Sequence, residues 1–314
     1  MRFVITGGSG FIGAHLVDYL CANNHEIVVV DKISNHQNTQ FLQKNNNVTH
    51  YLVDFTDPEI LPKIIEPDDL VIHLAAQSHV DISFKNPHQT TLGNVLATHN
   101  LLHASLTKNA KKVLLMSTDE VYGSHEEVVD VKSLDPTNPY SASKAASDMI
   151  ANSYLHMHKE LDINILRSNN ISGPRQFIHN IIPRFSCLGL LGKTMTLHGD
   201  GSSKRRYLWV KDAVSALFLI ITGGIPGKIY HIGHPDYFSN LEIANKIGTY
   251  LNLEDHIEFV TDRIFNDTIY PFSSDEIRKD LGWKITKDLD DYLPETIEWY
   301  RENIDLYKKY FSER

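Results

Sequence analysis

Residues 2–20, RFVITGGSGFIGAHLVDYL, decide the fold. A short apolar run ends at Thr6. Glycines follow in the pattern Gly8-x-Gly10-x-x-Gly13, and from Phe11 onward apolar residues recur at helical spacing. The stretch therefore predicts a strand, a tight glycine turn and a helix. Glycine lets the backbone turn sharply and come close to a pyrophosphate, whose charge suits the N-terminus of the helix. A second apolar run, EIVVVD, closes at Asp31, 18 residues beyond Gly13. A carboxylate there accepts hydrogen bonds from adenine-ribose hydroxyls and repels a 2'-phosphate. The spacing predicts NAD rather than NADP, although the neighbouring Lys32 softens that preference.

Outward from this motif the same texture repeats. LVIHLAA (70–76), KVLLMST (112–118) and DINILRSNN (162–170) are further apolar strands. Between them lie the helix-like segments HQTTLGNVLATHNLLHASLTK (88–108) and SASKAASDMIANSYLHMHKE (141–160). Strands apolar throughout, alternating with helices, imply a parallel sheet covered on both faces. The fold class is α/β, a doubly wound Rossmann-type sheet over residues 1–170. A smaller mixed α/β domain, partly interleaved with the first, is expected over 171–314, where segments shorten and loops gather at 199–204 and 223–227.

The bulk numbers limit what such a chain does. It has 314 residues with 42% hydrophobic and 22% charged, ordinary for a globular protein. The net charge of -9 argues against a nucleic-acid partner. Cys21 and Cys187 form no paired or metal-binding spacing, and the 17 histidines are scattered, so no metal is expected. No apolar run reaches the roughly 18 residues of a membrane span. The first residues enter a strand at once, so no membrane association and a cytoplasmic location are expected.

Two further motifs carry chemistry. NPYSASKAASD (138–148) sets Tyr140 and Lys144 four apart, on one helical face. A phenol of ordinary pKa near 10 is a poor base at neutral pH, and an adjacent ammonium is expected to favour its ionised form. STDEVYG (117–123) puts Thr118, Asp119 and Glu120 at the mouth of a strand. An adjacent Asp-Glu pair there is ordinarily a solvated turn.

In order, TGGSGFIG, HLAAQSHVD, STDEVYG and NPYSASK resemble the extended short-chain dehydrogenase/reductase family of nucleotide-sugar enzymes. RSNNISGPRQF (167–177), RRYLWVKDAVSAL (205–217), YHIG (230–233) and DRIFNDTIY (262–270) continue the likeness almost to the end. Within that family Thr-Asp-Glu looks like the 4,6-dehydratases, which oxidise a sugar at C4, eliminate water across C5 and C6, and return the hydride to C6. The resemblance implies Glu120 as base, Asp119 as acid, and Thr118 as a hydrogen-bonding partner of the C4 oxygen and Tyr140. It extends the NAD site over Gly7, Gly10, Phe11, Ile12, Gly13, Asp31, Lys32, Asp54, Phe55, Leu74, Ala75, Ala76, Tyr140 and Lys144. It places the nucleoside-diphosphate sugar against Ser78, His79, Thr118, Asn169, Arg205 and Arg263, and it implies a homodimer built from two helices of each subunit.

AAQSHVDISF, GPRQF, RRYLWVKD and FNDTIY look closest to the plant-type UDP-glucose enzymes of rhamnose synthesis, whereas the bacterial dTDP-glucose enzymes typically have Glu in place of Gln77. Three departures concern the substrate side, the first being Phe177-Ile178-His179-Asn180 where the family often has Glu-Lys. His231 stands where the family has asparagine, expected near the nucleotide. Ser172 stands where it has tyrosine, leaving room for an N-acetyl group and making UDP-N-acetylglucosamine a rival substrate. A 4-epimerase using the same oxidation, and a non-enzymatic NAD-binding sensor, are the alternatives; the Asp-Glu pair speaks against the first and the retained Tyr140 and Lys144 against the second.

Overall fold

The computed structural model describes residues 1–32, 46–123, 133–253, 256–261 and 273–311. Arg263 and the FNDTIY stretch lie outside them. In chain order the first elements are β1 (Arg2–Thr6), α1 (Phe11–Ala22), β2 (Glu26–Asp31), β3 (Val48–Leu52) and β4 (Leu70–His73). Then come α2 (Val80–Lys85), α3 (Pro87–Thr91), a π turn (Leu92–Leu96), α4 (Ala97–Thr107) and β5 (Lys112–Thr118). A 3-10 turn (Asp119–Tyr122), α5 (Pro139–Met157) and β6 (Asp162–Ser168) complete this run. They are followed by β7 (Asn170–Ser172), α6 (Ile181–Leu190), β8 (Met195–His198), β9 (Lys204–Arg205), β10 (Tyr207–Trp209), α7 (Val210–Gly223) and β11 (Ile229–Ile232). The last are β12 (Phe238–Ser239), α8 (Asn240–Leu251), β13 (Ile257–Val260), α9 (Asp275–Leu281) and α10 (Leu289–Glu302).

Seven strands form one parallel sheet in the order β11-β6-β5-β4-β1-β2-β3. The doubly wound α/β architecture is the one the apolar strands predict. Val4, Val28, Val71, Val113, Leu115 and Ile163 meet Leu101, Leu102, Ala104 and Ala151 of α4 and α5 in one core. On α1, Leu16, Val17 and Leu20 are buried. Full burial of such a side chain is worth about 1.5–3 kcal/mol, which explains why these strands carry almost no polar residues.

Two strands escape a reading of apolar runs. β3, VTHYL, is the sheet edge and is largely exposed, so nothing forces an apolar sequence on it. β11, IYHI, carries a buried histidine in the middle of its run. The helix-like segment over 88–108 is α3, the π turn and α4 in unbroken succession, and the Asn94 side chain within it holds the backbone of Gln77.

The chain forms two compact units, interleaved along the sequence. One comprises Met1–Ser168, Ala213–Ile232 and the stretch ending at Lys284. The other comprises Asn169–Asp212, the stretch from Gly233 and the stretch from Ile285. In the second, β7 pairs with β10, β8 with β13 and β9 with β12. Among the described residues no helix is long and apolar enough to cross a membrane, and no cluster of His, Cys, Asp or Glu is placed to hold a metal.

Candidate active site

Strand order reverses between β1 and β4, and in open parallel sheets the carboxyl end at such a switch point is where ligands bind. The glycine turn follows β1 at that end. Gly7 has φ +74°, and a Cβ added there would lie 2.6 Å from the Ala75 nitrogen. A Cβ on Gly13 would meet the Gly7 carbonyl at 2.2 Å. The motif thus has no room for side chains at these two positions. Gly10 is the N-cap of α1 and carries no side-chain cap, so the helix start is not closed off by its own sequence. Phe11 and Ile12 open the helix, and Leu74, Ala75 and Ala76 form the facing loop. An anionic diphosphate fits this arrangement.

Asp31 ends β2 beside the turn. It accepts from the backbone N–H of Ser9 (3.0 Å) and of Lys32 (3.1 Å), so it also braces the glycine turn. The Lys32 ammonium is turned to Asp54, at 2.6 Å. Asp54 also accepts from the Thr56 backbone and hydroxyl, and these bonds with Lys32 hold its carboxyl below the usual range against a burial effect of opposite sign. Lys32 is thereby tied to Asp54 and its charge is shared, which restores the preference for a ribose hydroxyl at Asp31. Phe55 is buried, packing edge-on to His73, while Asn100 donates to the carbonyls of Phe55 and Thr56.

The second cluster lies where β5 ends and α5 begins. Thr118 caps the 3-10 turn by accepting from the Glu120 N–H at 3.3 Å, and donates to Asp119 Oδ1 at 3.2 Å. Asn138 caps α5 in a capping box with Ser141, and Pro139 occupies the first helical position, a favourable start. One turn on, Tyr140 and Lys144 are both buried. Tyr140 hydrogen-bonds Thr118, and its proximity to Glu120 and Asp119 unites all five residues in the first unit.

The electrostatics correct one expectation. The Tyr140 phenol stands well above its ordinary value, first because of burial, then because Glu120 and Asp119 repel a phenolate; the bond to Thr118 opposes them. Lys144 does not reverse this balance. Its own ammonium is pulled down by burial and partly restored by Asp148, one turn further along α5. Part of its charge is thus answered by that carboxylate.

Buried polar residues behind the cluster were not legible as site residues. Asp148 Oδ2 accepts from Arg167 Nε at 2.9 Å and from Ser117 Oγ at 3.0 Å. Arg167 also donates to the Tyr122 hydroxyl and lies over its ring at 4.8 Å. The Tyr122 hydroxyl also shares a hydrogen bond with His231 Nε2, 2.6 Å away. Burial, then Arg167, lowers His231 to about 3, so it is neutral. His231 is therefore an interior member of β11. A second chain runs from Thr6 through His73 to Thr98 and Ser147 on α5. His73 is lowered to about 3, by burial and then by Lys144. Asn94 bonds Gln77 both ways and donates to Ser143, which donates to the Tyr140 carbonyl. The signals available were the helical spacing of Asp148 from Lys144 and the Asn-Pro pair before Tyr140.

The remaining substrate-side residues are divided between the two units. Ser78 is exposed, and His79 is the N-cap of α2 in the first unit. Asn169, buried, and Arg205, whose guanidinium donates to the Lys204 carbonyl, belong to the second unit. Ser172 does not open space. It is fully buried, its hydroxyl 2.7 Å from that of Tyr292, whose ring stacks on Trp209.

A family model described as GDP-mannose 4,6 dehydratase matches residues 4–296. A dTDP-D-glucose 4,6-dehydratase of Dictyostelium discoideum is 36% identical over 96% of this chain and 82% of its own. A trifunctional UDP-glucose 4,6-dehydratase/UDP-4-keto-6-deoxy-D-glucose 3,5-epimerase/UDP-4-keto-L-rhamnose-reductase of Arabidopsis thaliana is 35% identical over 96% of this chain and 47% of its own. Among solved structures, a dTDP-glucose 4,6-dehydratase from Streptomyces venezuelae, crystallised with NAD, superposes with a TM-score of 0.90 at 33% identity, covering 96% of this chain and 98% of that one. Likeness of this extent, in sequence and in the sheet that carries the glycine turn, means that the chain belongs to the GDP-mannose 4,6-dehydratase family, among the nucleotide-sugar 4,6-dehydratases of the extended short-chain dehydrogenase/reductase type.

Proposed function

We propose that the chain is an NAD-dependent nucleoside-diphosphate-hexose 4,6-dehydratase, a hydro-lyase that forms a 4-keto-6-deoxy sugar nucleotide. The observation that carries this reading is the meeting of buried Thr118, Asp119, Tyr140 and Lys144 with half-buried Glu120. Oxidation alone needs only the last two; a pair of carboxylates beside them suits elimination. The glycine turn, Asp31, and the loop of Leu74 to Ala76 would hold the dinucleotide. NAD supplies the hydride acceptor at C4, the donor at C6, and a cationic ring whose charge favours the Tyr140 phenolate.

Tyr140 takes the proton of the C4 hydroxyl as C4 is oxidised, with Thr118 bonding the same oxygen. The C4 ketone acidifies the C5 hydrogen. Glu120 removes that proton, the electron pair forms the C5–C6 double bond, and the C6 oxygen leaves as water with a proton from Asp119. Two adjacent carboxyls perform both tasks only in different protonation states. Asp119 is bonded by Thr118, whereas Glu120 is bonded by Asn138 Nδ2 at 3.1 Å, so their surroundings already differ.

The substrate is a nucleoside-diphosphate glucose, with Arg205 and Arg263 as the proposed diphosphate contacts and Ser78, His79 and Asn169 on the sugar side. The burial of Ser172 against the Tyr292 hydroxyl leaves no space there for an N-acetyl group and favours UDP-glucose or dTDP-glucose over UDP-N-acetylglucosamine. We place the enzyme in the cytoplasm as a homodimer. Exposed Phe84, Leu92, Leu96, Met149 and Met157 on the helices between residues 80 and 157 support the latter. Incubation of the purified protein with the three nucleotides, followed by mass spectrometry, tests the reading. Loss of one water supports it; an unchanged mass with an inverted C4 would assign a 4-epimerase instead.

A further inference from the structure

The geometry points to Asn138 as a positioning residue for dehydration, one that aims the Glu120 carboxylate at C5 while it fixes the start of the helix carrying Tyr140. The inference rests on the proposed role of Glu120 as the base. Asn138 is buried, and both ends of its amide are committed. Its Oδ1 accepts from the Ser141 N–H at 2.9 Å, and its Nδ2 donates to Glu120 Oε2 at 3.1 Å. The Asn138 N–H in turn donates to the Ser141 hydroxyl oxygen at 3.2 Å, completing the capping box.

The segment leading to Asn138 is independently stitched to the turn that carries Glu120. The Asp135 N–H donates to the Val121 carbonyl at 3.0 Å. Gly123, at φ +72°, passes so close that an added Cβ would lie 2.3 Å from the Asp135 carbonyl oxygen. Gly123 N–H itself bonds the Glu120 carbonyl at 3.2 Å. The approach of the two segments is therefore set by backbone, and the amide of Asn138 completes it at the carboxylate. One side chain thus registers the base against the helix of the oxidising tyrosine. Abstraction at C5 must follow oxidation at the adjacent C4, so the two groups have to address neighbouring atoms of one sugar.

Two substitutions separate positioning from capping, because Ser, Asp and Asn cap helices about equally well. Asn138→Ser retains an acceptor for the Ser141 N–H and loses the amide that spans to Glu120. Asn138→Asp retains the cap and sets a like charge against Glu120. In Asn138→Ser, C5-hydrogen exchange with deuterated water and loss of water should fall about 10- to 100-fold, the scale of a roughly 1 Å misplacement. C4 oxidation, read as transient reduced-nicotinamide absorption in a single turnover, should stay within about threefold, since the Tyr140 machinery is untouched. In Asn138→Asp the acidic limb of the exchange rate should move up by about one pH unit or more. Thermal unfolding of Asn138→Ser should match wild type.

Exchange at wild-type rate with an unmoved limb in both variants overturns the inference. So does a parallel fall of C4 oxidation and C5 exchange in step with lost thermal stability, which would leave Asn138 a cap alone. A wild-type protein that loses no water from any of the three nucleotides overturns the functional reading and this inference with it. Wild-type dehydration with unaffected variants removes only the inference.

Discussion

Replacing Asp148 with asparagine keeps the shape of a buried carboxylate and deletes its charge. In the structure Asp148 Oδ2 takes bonds from Arg167 Nε at 2.9 Å and Ser117 at 3.0 Å, and the side chains of Asp148 and Arg167 are only 3% and 2% exposed. Arginine stays charged in any protein environment, so the variant leaves a buried cation facing a neutral amide. Breaking a buried pair from one side costs about 3–5 kcal/mol. Arg167 keeps its bond to Tyr122, which places the expected loss near the lower end, about 3 kcal/mol. Against a total of about 5–15 kcal/mol the protein should still fold. Urea unfolding measures the loss. A cycle with Arg167→Met should show the double variant costing less than the two single changes together, because the charge stranded by either is then gone. The same change removes the carboxylate that supports the Lys144 ammonium against burial. The alkaline limb of the rate profile should therefore move to lower pH. A cost below about 1 kcal/mol with an unmoved alkaline limb would refute the reasoning on both counts.

His231 and His73 are each lowered to about 3 in the folded protein, against 6.5 ordinarily. Below 6.5 the unfolded chain takes up protons that the fold refuses, so stability falls as pH drops from 6.5 toward 3, by about 1.4 kcal/mol per pH unit for each histidine. His231→Asn should make that slope shallower in urea unfolding followed from pH 7 to 4.5, and an unchanged slope would contradict the burial argument. Gly13→Ala drives a Cβ into the Gly7 carbonyl and should cost about 1–3 kcal/mol together with NAD affinity measured by calorimetry. Gly93→Ala, where an added Cβ meets nothing within 4 Å, is its control. Tyr140→Phe should slow turnover at least about 10²- to 10⁴-fold in a product assay while NAD binding persists; near-normal turnover would remove the phenol from the chemistry.

Much of this architecture could be read from residue pattern because it is local. A strand buried on both faces must be apolar throughout, and a pyrophosphate turn must be glycine, so β1, α1, β2, β4, β5 and β6 announce themselves. The edge strand β3 meets solvent and carries no such signal. β11 hides a histidine whose presence is intelligible only through Tyr122, far away in the chain. The same distance concealed the support of the site. Tyr140 and Lys144 share a helical face by spacing, whereas the bonds of Asn138 to Glu120, Asn94 to Gln77 and Arg167 to Asp148 arise from topology. The expected softening of the Tyr140 phenol failed for a related reason. Spacing shows the ammonium nearby, but not the burial and the two carboxylates that outweigh it. The roominess inferred at Ser172 likewise overlooked Tyr292, 120 positions along.

The central claim is that one site oxidises C4, eliminates water across C5 and C6, and delivers the same hydrogen to C6. Turnover of a nucleoside-diphosphate glucose bearing deuterium at C4 tests it most directly, with the product examined by mass spectrometry and NMR. The account predicts a product lighter by one water, with the deuterium on C6 and a solvent hydrogen at C5. A product of unchanged mass with deuterium still at C4 would show oxidation without elimination, and would leave Asp119 and Glu120 without the roles assigned to them.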